Sequence, residues 1–140
     1  LCRGIMLRRR VAPHRVLGHS DVAPGRKKDP GEKFPWHSLA NSGVGHWVQP
    51  APIVRGDALQ LGAISDNVSN MQAAFRRYGY NIPTNGKFDG PTMEVVTAFQ
   101  RHFRPERVDG IADRSTMATL HALLESLPPD AAAQVAAKAK

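Results

Sequence analysis

Aromatic side chains make up only 6% of this chain: five Phe, two Tyr and two Trp. So few large rings predict a small, aliphatic core. Cysteine is scarcer still. The single thiol, Cys2, excludes an internal disulfide framework and fixes no compartment. No run approaches the roughly 20 apolar residues that a membrane helix needs. The first residues, Leu1 to Leu7, break into Arg8-Arg9-Arg10 and are not expected to act as a secretory signal, nor is Leu1-Cys2 expected to be a lipidation site. Glutamate is absent until Glu32.

What the chain does have is positive charge, unevenly placed. Residues 1–47 carry nine Lys/Arg against three Asp/Glu, whereas residues 48–127 carry eight of each. Such a basic segment suits an acidic polymer, either a carboxylate-bearing cell wall or nucleic acid. The densest patch, Arg8-Arg9-Arg10 with Arg15, has no interleaved aromatics and no zinc-finger or helix-turn-helix pattern. It reads as the solvated end of a helix over residues 2–10, and no nucleic-acid partner is expected.

One stretch concentrates chemistry: His19-Ser-Asp-Val-Ala-Pro-Gly-Arg-Lys-Lys-Asp-Pro-Gly31. A run this polar, broken by Gly and Pro, reads as a loop, here leaving a buried edge strand at Val16-Leu17. His19 and Asp29 are ten residues apart, and Pro24-Gly25 between them lets the chain turn back. One imidazole nitrogen and one carboxylate oxygen could then meet at a zinc ion, which accepts mixed N/O donors. Lys27 beside them could stabilise a developing oxyanion. On residue types alone, a solvated basic loop with a surface histidine is the alternative.

The same stretch, followed by Phe34-Pro35-Trp36, resembles the C-terminal metal motif of the zinc-dependent N-acetylmuramoyl-L-alanine amidases, the type-2 amidase family. The resemblance implies an enzyme that cuts the amide between N-acetylmuramic acid and the L-alanine of the stem peptide. It implies zinc ligation by His19 and Asp29 and a catalytic Lys27 facing the scissile carbonyl. It also implies a further zinc histidine and a catalytic glutamate upstream of the motif. His14, in the turn before the strand, does not occupy the position expected for that histidine. The chain therefore resembles the C-terminal part of an amidase, expected to be inactive alone and to bind zinc weakly. A missing N-terminal part or a second chain would complete it.

Farther on, Pro35 and Gly43 bound a short helix, with Trp36 either packing inward or lining a substrate groove. His37 and His46 read as surface residues. Residues 48–64, with Gln49-Pro50-Ala51-Pro52, read as an extended linker. Residues 65–127 read as three amphipathic helices. The first is capped by Asp66, with Val68, Met71, Phe75 and Tyr78 inward, and ends at Gly79. The second starts at Asp89 with Val95, Val96, Phe99 and Phe103 inward, and the third at Asp113 with Met117, Leu120, Leu123 (or Leu124) and Leu127 inward. Asn85-Gly-Lys-Phe-Asp-Gly-Pro-Thr92 repeats in Asp109-Gly-Ile-Ala-Asp-Arg-Ser-Thr116 at a shift of 24. This unit is similar to the three-helix peptidoglycan-binding domain. Its candidate binding groups are Gln72, Tyr80, Asn85 and Arg101, with Ala112 standing where a larger anchor is usual.

The expected fold class is mainly α: a three-helix peptidoglycan-binding bundle after an incomplete α/β amidase segment of helix end, one strand, metal loop and short helix. The expected units are 1–47 (amidase part), 48–64 (linker), 65–127 (peptidoglycan-binding domain) and 128–140 (an Ala/Lys tail expected to be flexible). The expected partners are peptidoglycan or muropeptides, and the alternative function is a non-catalytic wall-binding module with a vestigial amidase segment. The resemblance places such a protein in the bacterial cell envelope or periplasm.

Overall fold

A computed structural model describes residues 1–129 and 131. Most of the expected Ala/Lys tail lies outside the described residues. The chain runs through α1 (Cys2–Arg9), a 3-10 turn (Pro13–Arg15), α2 (His19–Val22), α3 (Trp36–Asn41), α4 (Asp66–Tyr78), α5 (Gly90–Phe103) and α6 (Arg114–Glu125). Among the described residues there is no sheet, only two isolated bridges, Leu59 with Ala112 and Ile64 with Lys87.

The expected edge strand at Val16-Leu17 is not there. Val16 is extended, with φ −90° and ψ 108°, but no second strand lies beside it, and Leu17 is 50% exposed. An isolated extended pair has no ladder to join. The metal motif itself opens as a helical turn, not a loop.

The long helices start where short polar side chains satisfy free amides. Asp89 caps the Thr92 amide at 3.1 Å and Asp113 the Thr116 amide at 2.8 Å. The α4 cap is Ser65, whose Oγ accepts from Val68, so Asp66 is the first helical residue and not the cap. Gly79 closes α4 at φ 130°, a conformation that favours glycine.

The core is aromatic at its centre, contrary to the aliphatic expectation. Phe75, Phe88, Phe99, Phe103 and Tyr80 are all buried, with Val68, Met71, Val95, Val96, Leu120 and Leu123 around them. Phe75 meets Phe99 edge-on at 5.3 Å and Tyr78 meets Phe103 edge-on at 5.4 Å. Rings are few, but the bundle places most of them in one cluster. Ala112 is buried too, and its small side chain leaves room for Leu59, which exchanges backbone hydrogen bonds with it at 3.0 and 2.8 Å. The extended stretch carrying Leu59 is thus bonded to the bundle. Farther up it, Ala51 accepts from Ser115 Oγ at 2.6 Å and donates to Thr119 Oγ1 at 3.0 Å.

The sequence repeat is a repeat of hydrogen bonding. The Gln72 amide nitrogen donates to Asn85 Oδ1, Lys87 O and Thr92 Oγ1, while its oxygen accepts from the Gly86 amide. Gln100 does the same to Asp109 Oδ1, Ile111 O, Thr116 Oγ1 and the Gly110 amide. Each buried glutamine locks one turn onto one helix, and each turn needs a left-handed glycine: Gly86 at φ 74° and Gly110 at φ 73°.

Candidate functional site

The motif turn is built from Gly18 outward. The Gly18 amide donates to Asp21 Oδ2 at 2.9 Å, closing the first turn of α2 from within. A side chain at Gly18 would meet Pro30 Cδ at 2.7 Å and the Trp36 ring at 3.3 Å, so the turn passes too close to its own loop for any larger residue. The Ser20 amide donates to the Asp29 carbonyl at 3.0 Å, which brings the far end of the loop back to α2.

That closure places His19 Nδ1 2.5 Å from Asp29 Oδ2, with side chains 75% and 60% exposed. The Asp29 carboxyl is held below the ordinary carboxylate range, chiefly by its bond to His19, with the charges of His19 and Lys27 adding to the effect. Lys27 is exposed, and its backbone amide is fixed to the Ala23 carbonyl at 3.0 Å. The residues singled out for metal chemistry thus sit together on the open side of one loop.

Beneath them is a buried polar joint that sequence reasoning did not find. Asp21 accepts from Tyr80 Oη on Oδ1 at 2.8 Å and from His102 Nδ1 on Oδ2 at 2.7 Å. Counting the Gly18 amide, this carboxylate takes three donors, which offsets the cost of burying it. Burial pushes the Tyr80 phenol far above its ordinary range, and the Asp21 charge adds to this, so the group stays a proton donor. Trp36 is buried and stacks on the His102 ring at 3.8 Å and 15°. Gly25 lies against the Glu94 side chain of α5. The motif loop is therefore mounted on the helical bundle. Partners 59 and 81 residues apart give no local signal; only the unassigned Asp21 within His19-Ser20-Asp21 marked this end of it.

The other candidates fall elsewhere. Tyr80 and Trp36 are spent on the joint, and Gln72 is buried inside the first repeat turn. Asn85 is exposed but ties that turn by accepting from Gln72 and from the Lys87 amide. Arg101 is half-buried on the last turn of α5. His46 is not a free surface residue: its ring nitrogens meet Tyr78 Oη at 2.6 Å and Ser126 Oγ at 2.7 Å. Burial lowers its proton affinity, as do His14 and His102 nearby. His37 bonds to Asn41 at 3.3 Å.

His19 and Asp29 have the right donor chemistry for zinc but not the number. A catalytic zinc takes three protein ligands, and among the described residues no group of three or more His, Cys, Asp or Glu could hold a metal. The two donors also touch each other directly. These residues alone do not make a zinc site.

Residues 65–120 match the family described as "Putative peptidoglycan binding domain". The chain is 35% identical, over 130 residues and 93% of its length, to the N-acetylmuramoyl-L-alanine amidase AmiD of Escherichia coli K12. It superposes on a solved structure of AmiD in complex with the substrate anhydro-N-acetylmuramic acid-L-Ala-D-γ-Glu-L-Lys with a TM-score of 0.66 at 35% identity, covering 89% of this chain and 48% of that one. On AmpDh3 from Pseudomonas aeruginosa the TM-score is 0.68 at 34% identity, covering 91% of this chain and 50% of AmpDh3. The chain spans about half the length of these relatives, 47% in the case of AmiD.

Proposed function

We propose that this chain belongs to the machinery of peptidoglycan amide hydrolysis, with residues 65–127 gripping the wall and the 18–31 turn contributing to an amidase centre. The bond concerned joins N-acetylmuramic acid to the L-alanine of the stem peptide. The observation that carries this reading is that the 35% identity to an amidase runs through both parts of the chain. The convergence of His19, Lys27 and Asp29 on one exposed loop is consistent with it. In the complete centre His19 and Asp29 would supply two zinc donors, and zinc would provide Lewis-acid chemistry. The Lys27 ammonium would stabilise negative charge developing on the scissile carbonyl oxygen.

Among the described residues the motif loop brings only two donors together, His19 and Asp29, which favours a second reading for the isolated chain: a wall-binding module whose amidase turn does not turn over substrate. Zinc titration of the purified chain, with Asp29→Ala alongside and muropeptide cleavage followed by mass spectrometry, separates the two. The expected result is weak, non-stoichiometric zinc and intact muropeptide. Tight stoichiometric zinc lost in Asp29→Ala, with release of the stem peptide, would show that the isolated chain is already a complete amidase.

A further inference from the structure

The helical bundle holds the motif turn at two points. At the first, Asp21 accepts from Tyr80 Oη at 2.8 Å and from His102 Nδ1 at 2.7 Å, and all three side chains are buried. At the second, the Glu94 side chain of α5 lies across Gly25, where an added Cβ would come within 2.3 Å of Oε2. Both points, Asp21 and Gly25, fall between His19 and Lys27 in the chain.

The polar groups at the first point are not what packing alone would select. The His102 ring stacks on Trp36 at 3.8 Å and on Phe103 at 3.7 Å. An apolar ring would fill that slot. Instead an imidazole is buried there, and its Nε2 has no partner among the described residues. A buried nitrogen without a partner is unfavourable, so the stack itself gains nothing from a histidine. What the histidine adds is the Nδ1 bond to Asp21. Tyr80 is similar: among the described residues its hydroxyl bonds only to Asp21.

Asp21 passes the constraint on. It stands two residues from His19, and its Oδ2 also accepts from the Gly18 amide at 2.9 Å, which sets the start of α2. With four residues, α2 is too short to hold a helical turn unaided. The Ser20 amide, inside that turn, donates to the Asp29 carbonyl at 3.0 Å. A displacement of Asp21 therefore carries both His19 and Asp29 with it. We infer that Tyr80 and His102 are positioning residues for His19 and Asp29: through Asp21 they orient the motif turn, which makes the bundle a structural part of the amidase centre as well as a wall-binding unit. The inference rests on the reading that this turn contributes to such a centre.

The test is the nitrogen NMR spectrum of the His19 ring in the full chain at one neutral pH, with Asp29→Ala marking the unpaired ring. Tyr80→Phe and His102→Ala each remove one donor to Asp21. Loss of one charge-assisted bond predicts a paired-to-open ratio at His19 about tenfold lower, seen as ring signals displaced toward those of Asp29→Ala. His102→Asn, whose side-chain amide can donate from near the Nδ1 position, should restore the parent signals. Gln100→Ala weakens the bundle without touching Asp21; it should lower the melting temperature and leave the His19 signals at their parent values. His19 signals that keep their parent values in both Tyr80→Phe and His102→Ala overturn the inference. So does a displacement in Gln100→Ala as large as theirs, because the turn would then follow bundle stability alone. Adding excess zinc to the parent chain tests the underlying reading separately. Ring signals that respond keep His19 in a metal centre whatever the variants do. Signals that do not respond remove it from one, even where the coupling to Tyr80 and His102 is seen.

Discussion

At the residue scale, the most exacting position is Arg104. It is fully buried, and Nη1 bonds both oxygens of Asp113 at 3.2 and 2.9 Å, while Nε and Nη2 have no partner. Asp113 also caps α6. Burial alone would raise its proton affinity, but the Thr116 amide and the Arg104 guanidinium outweigh this, and the carboxyl is held below its ordinary range. A depressed carboxylate contributes stability that is present above its unfolded value, near 3.9, and is lost as pH falls through the folded value. Urea unfolding should therefore show stability dropping below about pH 4, with a shallower drop in Asp113→Asn. Because that variant strands a buried guanidinium, it should cost about 3–5 kcal/mol at neutral pH. A cost under 1 kcal/mol would mean the pair is dispensable.

Gln100 is the second residue-scale case. Gln100→Ala removes the partners of the Gly110 amide and the Ile111 carbonyl at once. At about 1–3 kcal/mol per buried group left unsatisfied, denaturation should register a loss of more than 2 kcal/mol, a figure of the same order. A near-neutral outcome would mean that solvent replaces the amide.

At the element scale, the motif turn and α5 are coupled through Asp21. The short α2 has too few residues to stand alone as a helix, so its shape depends on Tyr80 and His102. Tyr80→Phe keeps the ring in the core and deletes only the bond to Asp21. Amide hydrogen exchange should then accelerate at Gly18, Ser20 and Asp21, while the α4 and α6 amides keep their protection. Uniform acceleration would mean that Tyr80 supports the whole bundle, and no change would mean that the joint is idle.

Elements were also where the sequence was most legible. Asp89 with Pro91, Asp113, and Gly79 announce helix ends through local chemistry, and the bundle follows. The α4 cap falls one position before Asp66, at Ser65, because Ser and Asp both cap and stand side by side. The spacing of His19 and Asp29 about Pro24-Gly25 suffices to suggest that they meet, since one backbone bond, Ser20 to Asp29, closes the loop. What could not be read was long-range. Gln72 and Tyr80 look like free polar groups in a sequence and become interior bonds only once residues 13 to 59 positions away are brought alongside them. The missing strand has the same origin: Val16-Leu17 has strand-like residues, but a strand also needs a partner.

At the scale of the whole molecule, the chain couples a rigid, glutamine-locked bundle to a basic, exposed loop. The loop segment holds most of the net positive charge, and the bundle is neutral. Charge alone would suit any polyanion, and salt would weaken such binding strongly. Recognition of the cell wall by specific contacts should survive salt better. The most direct measurement is sedimentation of the full chain with purified sacculi at physiological and raised salt, with duplex DNA as the competing polymer. The account predicts binding to sacculi that persists at raised salt and is not displaced by DNA. Strong, salt-sensitive DNA binding without retention on sacculi would contradict it.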